Sequence, residues 1–116
     1  MKIWHDDIRR PPDDSWTWAR TNEQAAGLLS LNEVYIISLD YDLGLHEFDP
    51  DDEDAIFYKG PLPLGVELVE WMVKNDKVPP TVIIHSWNPP GAQKMAEILR
   101  SYGHHPIVEP FKVVKN

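Results

Sequence analysis

The chain has no cysteine. Disulfides, thiolate nucleophiles and cysteine-based zinc sites are thereby excluded together, and the redox compartment is left open. Positive charge is scarce: 11 Lys and Arg face 19 Asp and Glu, a formal net charge of −8. That balance excludes a broad basic face for nucleic-acid backbone, although it leaves room for a small local site. No apolar run is long enough to span a bilayer. Charge arrives by Asp6, too early for a secretion signal. These absences predict a soluble cytoplasmic protein with no membrane partner. Proline is plentiful, and it falls between the apolar runs, where it punctuates loops.

With 116 residues the chain predicts one domain, 1–116, able to bury a core of its own. The stretch Ser38-Leu39-Asp40-Tyr41-Asp42-Leu43-Gly44 organises it. It follows Val34-Tyr35-Ile36-Ile37, which reads as a buried strand and gives way to two carboxylates one residue apart. Two other apolar runs end in polar groups: Lys2–His5 meets Asp6-Asp7, and Val82-Ile83-Ile84 meets His85-Ser86. Strand ends of open α/β sheets are where ligands bind. Trp16–Arg20 alternates and reads as a second strand. Thr21 and Gln24 have capping-box spacing, predicting a helix from Asn22 to Leu31. Val66, Val69, Met72 and Val73 share one face of a second helix that Asn75-Asp76 ends. Thr81–Ile84 is a strand. Asn88 suits an N-cap and Pro89 the first helical position. Ala92, Met95, Leu99 and Tyr102 make the stripe of a last helix, which Gly103 stops before a final strand in His104–Phe111. The double proline Pro11-Pro12 leaves a loop where the first crossover helix would stand. The order predicts an α/β, doubly wound parallel sheet. The acidic segment 45–60 reads as a solvated loop insertion, and its spacing does not fit a calcium loop.

Asp6, Asp7 and Asp40 are the metal candidates. Carboxylates about 4 Å apart repel by roughly 4 kcal/mol per pair at an effective dielectric near 20. A cation, a raised pKa or an arginine must offset that, and an all-oxygen ligand set suits magnesium, manganese or calcium.

An acidic pair after the first strand and an aspartate after the third resemble the receiver domains of two-component response regulators. The resemblance implies a flavodoxin-like five-stranded sheet of order 2-1-3-4-5, a magnesium ion and a phosphoacceptor at Asp40. Gly65–Val69 falls on the glycine-led helix of that family. The receiver's lysine is Glu109 here, with Lys112 two positions beyond its proline, and the receiver's Ser/Thr position is His85. With Glu109 in the pocket, four carboxylates and one divalent ion would leave two negative charges and repel a phosphate donor. The chain is more similar to the cyclic-phosphate processing receiver domains. It carries their signatures as Asp6-Asp7-Ile8-Arg9, Ser38 to Gly44 and His85-Ser86-Trp87-Asn88-Pro89-Pro90-Gly91, with Tyr41 where that family commonly has histidine.

That resemblance implies a metal-dependent phosphoesterase acting on an RNA 2′,3′-cyclic phosphate end or a cyclic nucleotide. Asp6, Asp7 and Asp40 would hold Mg²⁺ or Mn²⁺, and Asp42 would lend its backbone carbonyl. His85, an imidazole that ordinarily titrates near neutrality, is the candidate general acid or base. Arg9 suits a two-pronged phosphate clamp. Ser86, Asn88, Gly91 and the amides opening the last helix offer an anion nest. Trp87 is the first choice for base stacking, ahead of Trp16 and Trp18. Each has a plainer reading: Arg9 as an ion pair to the aspartates, His85 as a hydrogen-bonded structural residue, Trp16 and Trp18 as packing. Two other functions stay open, a divergent receiver phosphorylated on Asp40 and a module that binds a nucleotide or protein without turnover.

Overall fold

A computed structural model of the chain describes residues 1–41, 64–86 and 88–109. The acidic segment 45–60, Asp42, Trp87 and Lys112 lie outside the described residues. The elements are β1 (Lys2–His5), β2 (Trp16–Ala19), α1 (Asn22–Leu31), β3 (Ile36–Leu39), α2 (Gly65–Lys74), β4 (Thr81–Ile84), α3 (Pro89–Ser101) and β5 (Ile107–Val108). All strand pairs are parallel, in the order β2-β1-β3-β4-β5. This is the receiver-like, flavodoxin-like sheet, with a loop in place of the helix between β1 and β2.

Local chemistry sets the element ends. Thr21 Oγ1 accepts from the Gln24 amide and starts α1. Asn88 Oδ1 accepts from the Gly91 amide, with prolines at the first two positions of α3. Asp76 takes a left-handed φ of 53° after α2, and the Lys77 amide then reaches back to Met72 O. Gly103, φ 86°, does the same after α3, with the His104 amide on Leu99 O.

Two placements differ from the sequence pattern. The central strand lies two residues further along than the apolar run: Tyr35 is exposed, while Ser38 and Leu39 belong to β3 and are buried. Tyr102 is exposed beyond the end of α3, and Ala96 takes its place in the stripe.

Register divides the sheet into two unlike faces. Ile3, His5, Ala19, Ile37, Leu39, Val82 and Ile84 share one face and are buried. They pack under α1, α2 and α3 with Leu29, Val69, Met72, Met95 and Leu99. The opposite face carries Lys2, Trp4, Trp16, Trp18, Ile36, Thr81 and Ile83, all half-buried, with Ser38 as its buried member. Right-handed crossovers account for this asymmetry. The steps from β2 to β3, β3 to β4 and β4 to β5 all advance in one direction, so their helices lie on one side. Only the step from β1 to β2 runs backwards, and it has no helix. Tryptophan covers the reverse face instead: Trp4 and Trp16 meet edge to face at 5.8 Å, and Lys2 Nζ lies 4.7 Å from the Trp16 ring centre.

Candidate functional site

The residue after each of β1, β3, β4 and β5 continues the ladder into its neighbour. The amides of Asp6, Asp40, His85 and Glu109 donate to Ala19, His5, Leu39 and Ile84 carbonyls at 2.9 to 3.1 Å. Four polar residues therefore stand in a row at the carboxyl edge of the sheet.

Asp6, Asp7 and Asp40 each offer an oxygen within 4.8 Å of the others, and all three are buried. The folding that gathers them is tight. A Cβ on Gly65 would collide with Asp40 O, so only glycine lets α2 start there, and the Gly65 amide donates to Tyr41 O at 2.8 Å. A Cβ on Gly91 would collide with the Tyr41 ring. Gly91 thus admits the residue next to Asp40.

Arg9 bridges two of the carboxylates. Its Nε lies 3.0 Å from Asp6 Oδ2 and its Nη2 3.6 Å from Asp40 Oδ2, with the side chain one-third exposed. Asp6 Oδ1 accepts from the Ile8 and Arg9 amides at 2.9 and 2.8 Å. His85 completes the Asp6 environment, with Nε2 at 3.1 Å from Oδ2 and Nδ1 at 2.6 Å from Ser38 Oγ. Its ring stacks on Trp4 at 4.0 Å and 7°. Because ionised Asp6 only accepts, Nε2 carries the proton of that bond, and a neutral ring accepts the Ser38 hydroxyl at Nδ1.

The two aspartates respond oppositely. Burial alone would raise Asp6, but the hydrogen bond from His85, the two loop amides and Arg9 outweigh it and hold its carboxyl below the usual range. Burial, followed by the Asp6 charge, pushes Asp40 up to about 6 despite His85 and Arg9. Negative charge at Asp40 is thus incompletely offset by the protein itself. A buried, oxygen-only set with that surplus fits a hard divalent cation such as Mg²⁺ or Mn²⁺.

The turn after β4 is tied by its own side chains. The Asn88 amide donates to Ser86 Oγ at 3.1 Å, the Gly91 amide to Asn88 Oδ1 at 3.0 Å and the Ala92 amide to Asn88 O at 2.8 Å. Pro89 and Pro90 have no N–H. From 88 to 92, then, each backbone N–H is absent or already has an acceptor within the turn. Ser86, next in sequence to His85, is buried, and its Oγ accepts from the Asn88 amide. Glu109, which the sequence counted into the pocket, is exposed and stands outside the carboxylate group. Among the described residues the pocket charge is three carboxylates and Arg9, a sum that one divalent ion would neutralise.

Three donors reach the carbonyls of this loop; Trp4 and Arg20 were not legible as site residues, and Trp18 was expected only as a stacking or packing ring. Trp18 Nε1 donates to Asp6 O at 2.5 Å. Arg20 donates to Asp7 O through Nε at 3.0 Å and Nη2 at 2.6 Å, with its guanidinium 5.1 Å from the Trp18 ring centre. Trp4 Nε1 donates to Arg9 O at 2.8 Å. One signal was available: parallel pairing of His5 with Ala19 places Arg20 beside the acidic pair. His5, as expected of a strand residue, is buried away from this edge on the helix side, with Nε2 2.9 Å from Asn22 Oδ1. Burial pushes it down to about 4.

Residues 1–101 match the family described as the cyclic-phosphate processing receiver domain. No curated protein matches the chain in sequence. Among solved structures, the chain resembles the signal receiver domain of a Luxo repressor protein from Vibrio parahaemolyticus. The TM-score is 0.56 at 19% identity, covering 96% of this chain and 78% of that one, a likeness of fold.

Proposed function

The chain belongs to the cyclic-phosphate processing receiver domains, and on that premise we propose that it is a metal-dependent phosphoesterase that opens a cyclic phosphodiester. The substrate class is an RNA 2′,3′-cyclic phosphate end or a cyclic nucleotide. The observation that carries this reading is the meeting of three buried carboxylates with one partly exposed guanidinium. Asp6, Asp7 and Asp40 would hold the ion. A bound divalent cation polarises a phosphoryl oxygen and lowers the pKa of water. Arg9 supplies parallel donors for the phosphate oxygens. Ser86, next in sequence to His85, would offer its hydroxyl.

His85 holds its Nε2 proton against Asp6 Oδ2, and Ser38 fixes the ring from behind. It orients Asp6 in this state. Delivering that proton to a leaving oxygen requires the Asp6 bond to open, since both ring nitrogens are engaged.

The test is turnover of 2′,3′-cyclic and 3′,5′-cyclic nucleotides with Mn²⁺ or Mg²⁺, read by phosphomonoester formation. Asp40→Asn is expected to abolish it, and Arg9→Lys to raise KM more than it lowers kcat. Ligand recovered intact across the whole panel overturns hydrolysis and leaves a binding module.

The position of Glu109 favours one second reading, a receiver phosphorylated on Asp40 with Arg9 as its resident cation. Acetyl phosphate with Mg²⁺ would then add a phosphoryl group lost in Asp40→Asn. A chain that turns over cyclic phosphate and takes no label excludes it.

A further inference from the structure

We propose that Trp18 and Arg20 are positioning residues that hold the backbone of the acidic pair in place of the absent first helix, and so set the affinity for the divalent ion. The inference rests on the metal reading above.

In a helix the carbonyls of Asp6, Asp7 and Arg9 would accept from amides one turn later. Pro11 and Pro12 supply no amide, and the chain at 6–15 forms no helix. Those carbonyls still need donors, because a buried unpaired carbonyl is costly. Side chains from the strands provide them. Trp18 Nε1 serves Asp6 O, and both Nε and Nη2 of Arg20 serve Asp7 O. Trp4 Nε1 serves Arg9 O. The Asp6 amide is tied to Ala19 O, so the end of β2 grips the acidic pair at three consecutive residues. Arg20 is itself steadied, with its guanidinium over the Trp18 ring and its amide on Gln24 Oε1 at 2.8 Å.

The consequence lies in geometry. Asp6 and Asp7 differ from an ordinary exposed pair because their main chain cannot turn away from Asp40. Loss of either grip frees the peptide between them and lets the two carboxylates separate.

The test uses the full chain with Trp18→Phe, which keeps the ring and removes the N–H, and Arg20→Lys, which keeps the charge and removes the two-pronged donation. Trp71→Phe, on α2, is the control. Mn²⁺ alone is titrated by calorimetry, and amide exchange at Ile8 and Arg9 is followed without metal. Both variants are expected to weaken Mn²⁺ binding about tenfold or more and to speed exchange at both amides, while Trp71→Phe does neither. Wild-type affinity in both variants with unchanged exchange overturns the proposal. Faster exchange in a chain that takes up no Mn²⁺ even as wild type overturns the metal reading and its affinity clause, while upholding the grip itself.

Discussion

The two faces of this sheet end at the same edge but are built differently. The helix face is closed by aliphatic packing, and its last side chain there is His5, buried against a neutral asparagine and held uncharged. The reverse face is half-open and aromatic, and it leads to His85, which is wedged between Trp4, Ser38 and an ionised aspartate. Two buried imidazoles on one row of strands thus have opposite neighbours. Which face a strand residue occupies decides whether it serves the core or the chemistry.

The largest expected effect separates the faces by packing. Leu39→Ala, on the helix face, should cost about 2–5 kcal/mol, as buried leucines generally do. Ile83→Ala, on the reverse face, should cost about 1–2 kcal/mol, since it is already half wet. Urea unfolding measures both, and equal costs would mean that the reverse face is as closed as the other.

The next effect is electrostatic. Asp40 ionises with difficulty in the fold, so its native pKa lies above the unfolded value. The native state then binds the extra proton between about pH 4 and 6, and stability falls as pH rises through that window. Metal-free Asp40→Asn should therefore be more stable than wild type at pH 7, by an amount on the order of 3 kcal/mol, with the gain gone below about pH 4. The same raised pKa predicts that Mn²⁺ affinity weakens as pH falls below about 6, because a proton competes for the ligand.

His5 slopes the other way. Its pKa is depressed, so the unfolded chain binds the proton first and stability is lost as pH falls from about 6.5 towards 4. In wild type this opposes the Asp40 trend across the same window. In Asp40→Asn it is uncovered, and thermal melts of that variant should decline through this range on acidification. A flat profile in the variant would contradict the buried, neutral reading of His5.

The smallest effect is Ser38→Ala. It removes one buried hydrogen bond, worth about 1 kcal/mol of stability. Turnover should fall more than Mn²⁺ affinity, because the hydroxyl steadies the His85 ring and touches none of the three carboxylates.

Much of the fold was legible because its signals are local. The Thr21 cap, the Asn88-Pro89 start of α3 and the polar ends of three apolar runs need only short-range chemistry. The boundary of β3 was missed because Ser38 looks like the end of a strand; it is buried as the partner of a histidine 47 positions away. The engagement of the Asn88 amide by Ser86 Oγ was also hidden, since the N-cap at Asn88 accounts for the Gly91 amide and not for its own. Trp18 and Arg20 depended on parallel register, which no single segment encodes.

The backward step from β1 to β2 has one more implication. Its connecting segment, 6–15, supplies the acidic pair and Arg9, and it is also tied to the reverse face of the sheet, where Arg9 O accepts from Trp4. Reagent and anchor are the same few residues. Shortening that connection would strip Trp4 of its acceptor and dismantle the pocket in one stroke, so the segment has little freedom to drift in length.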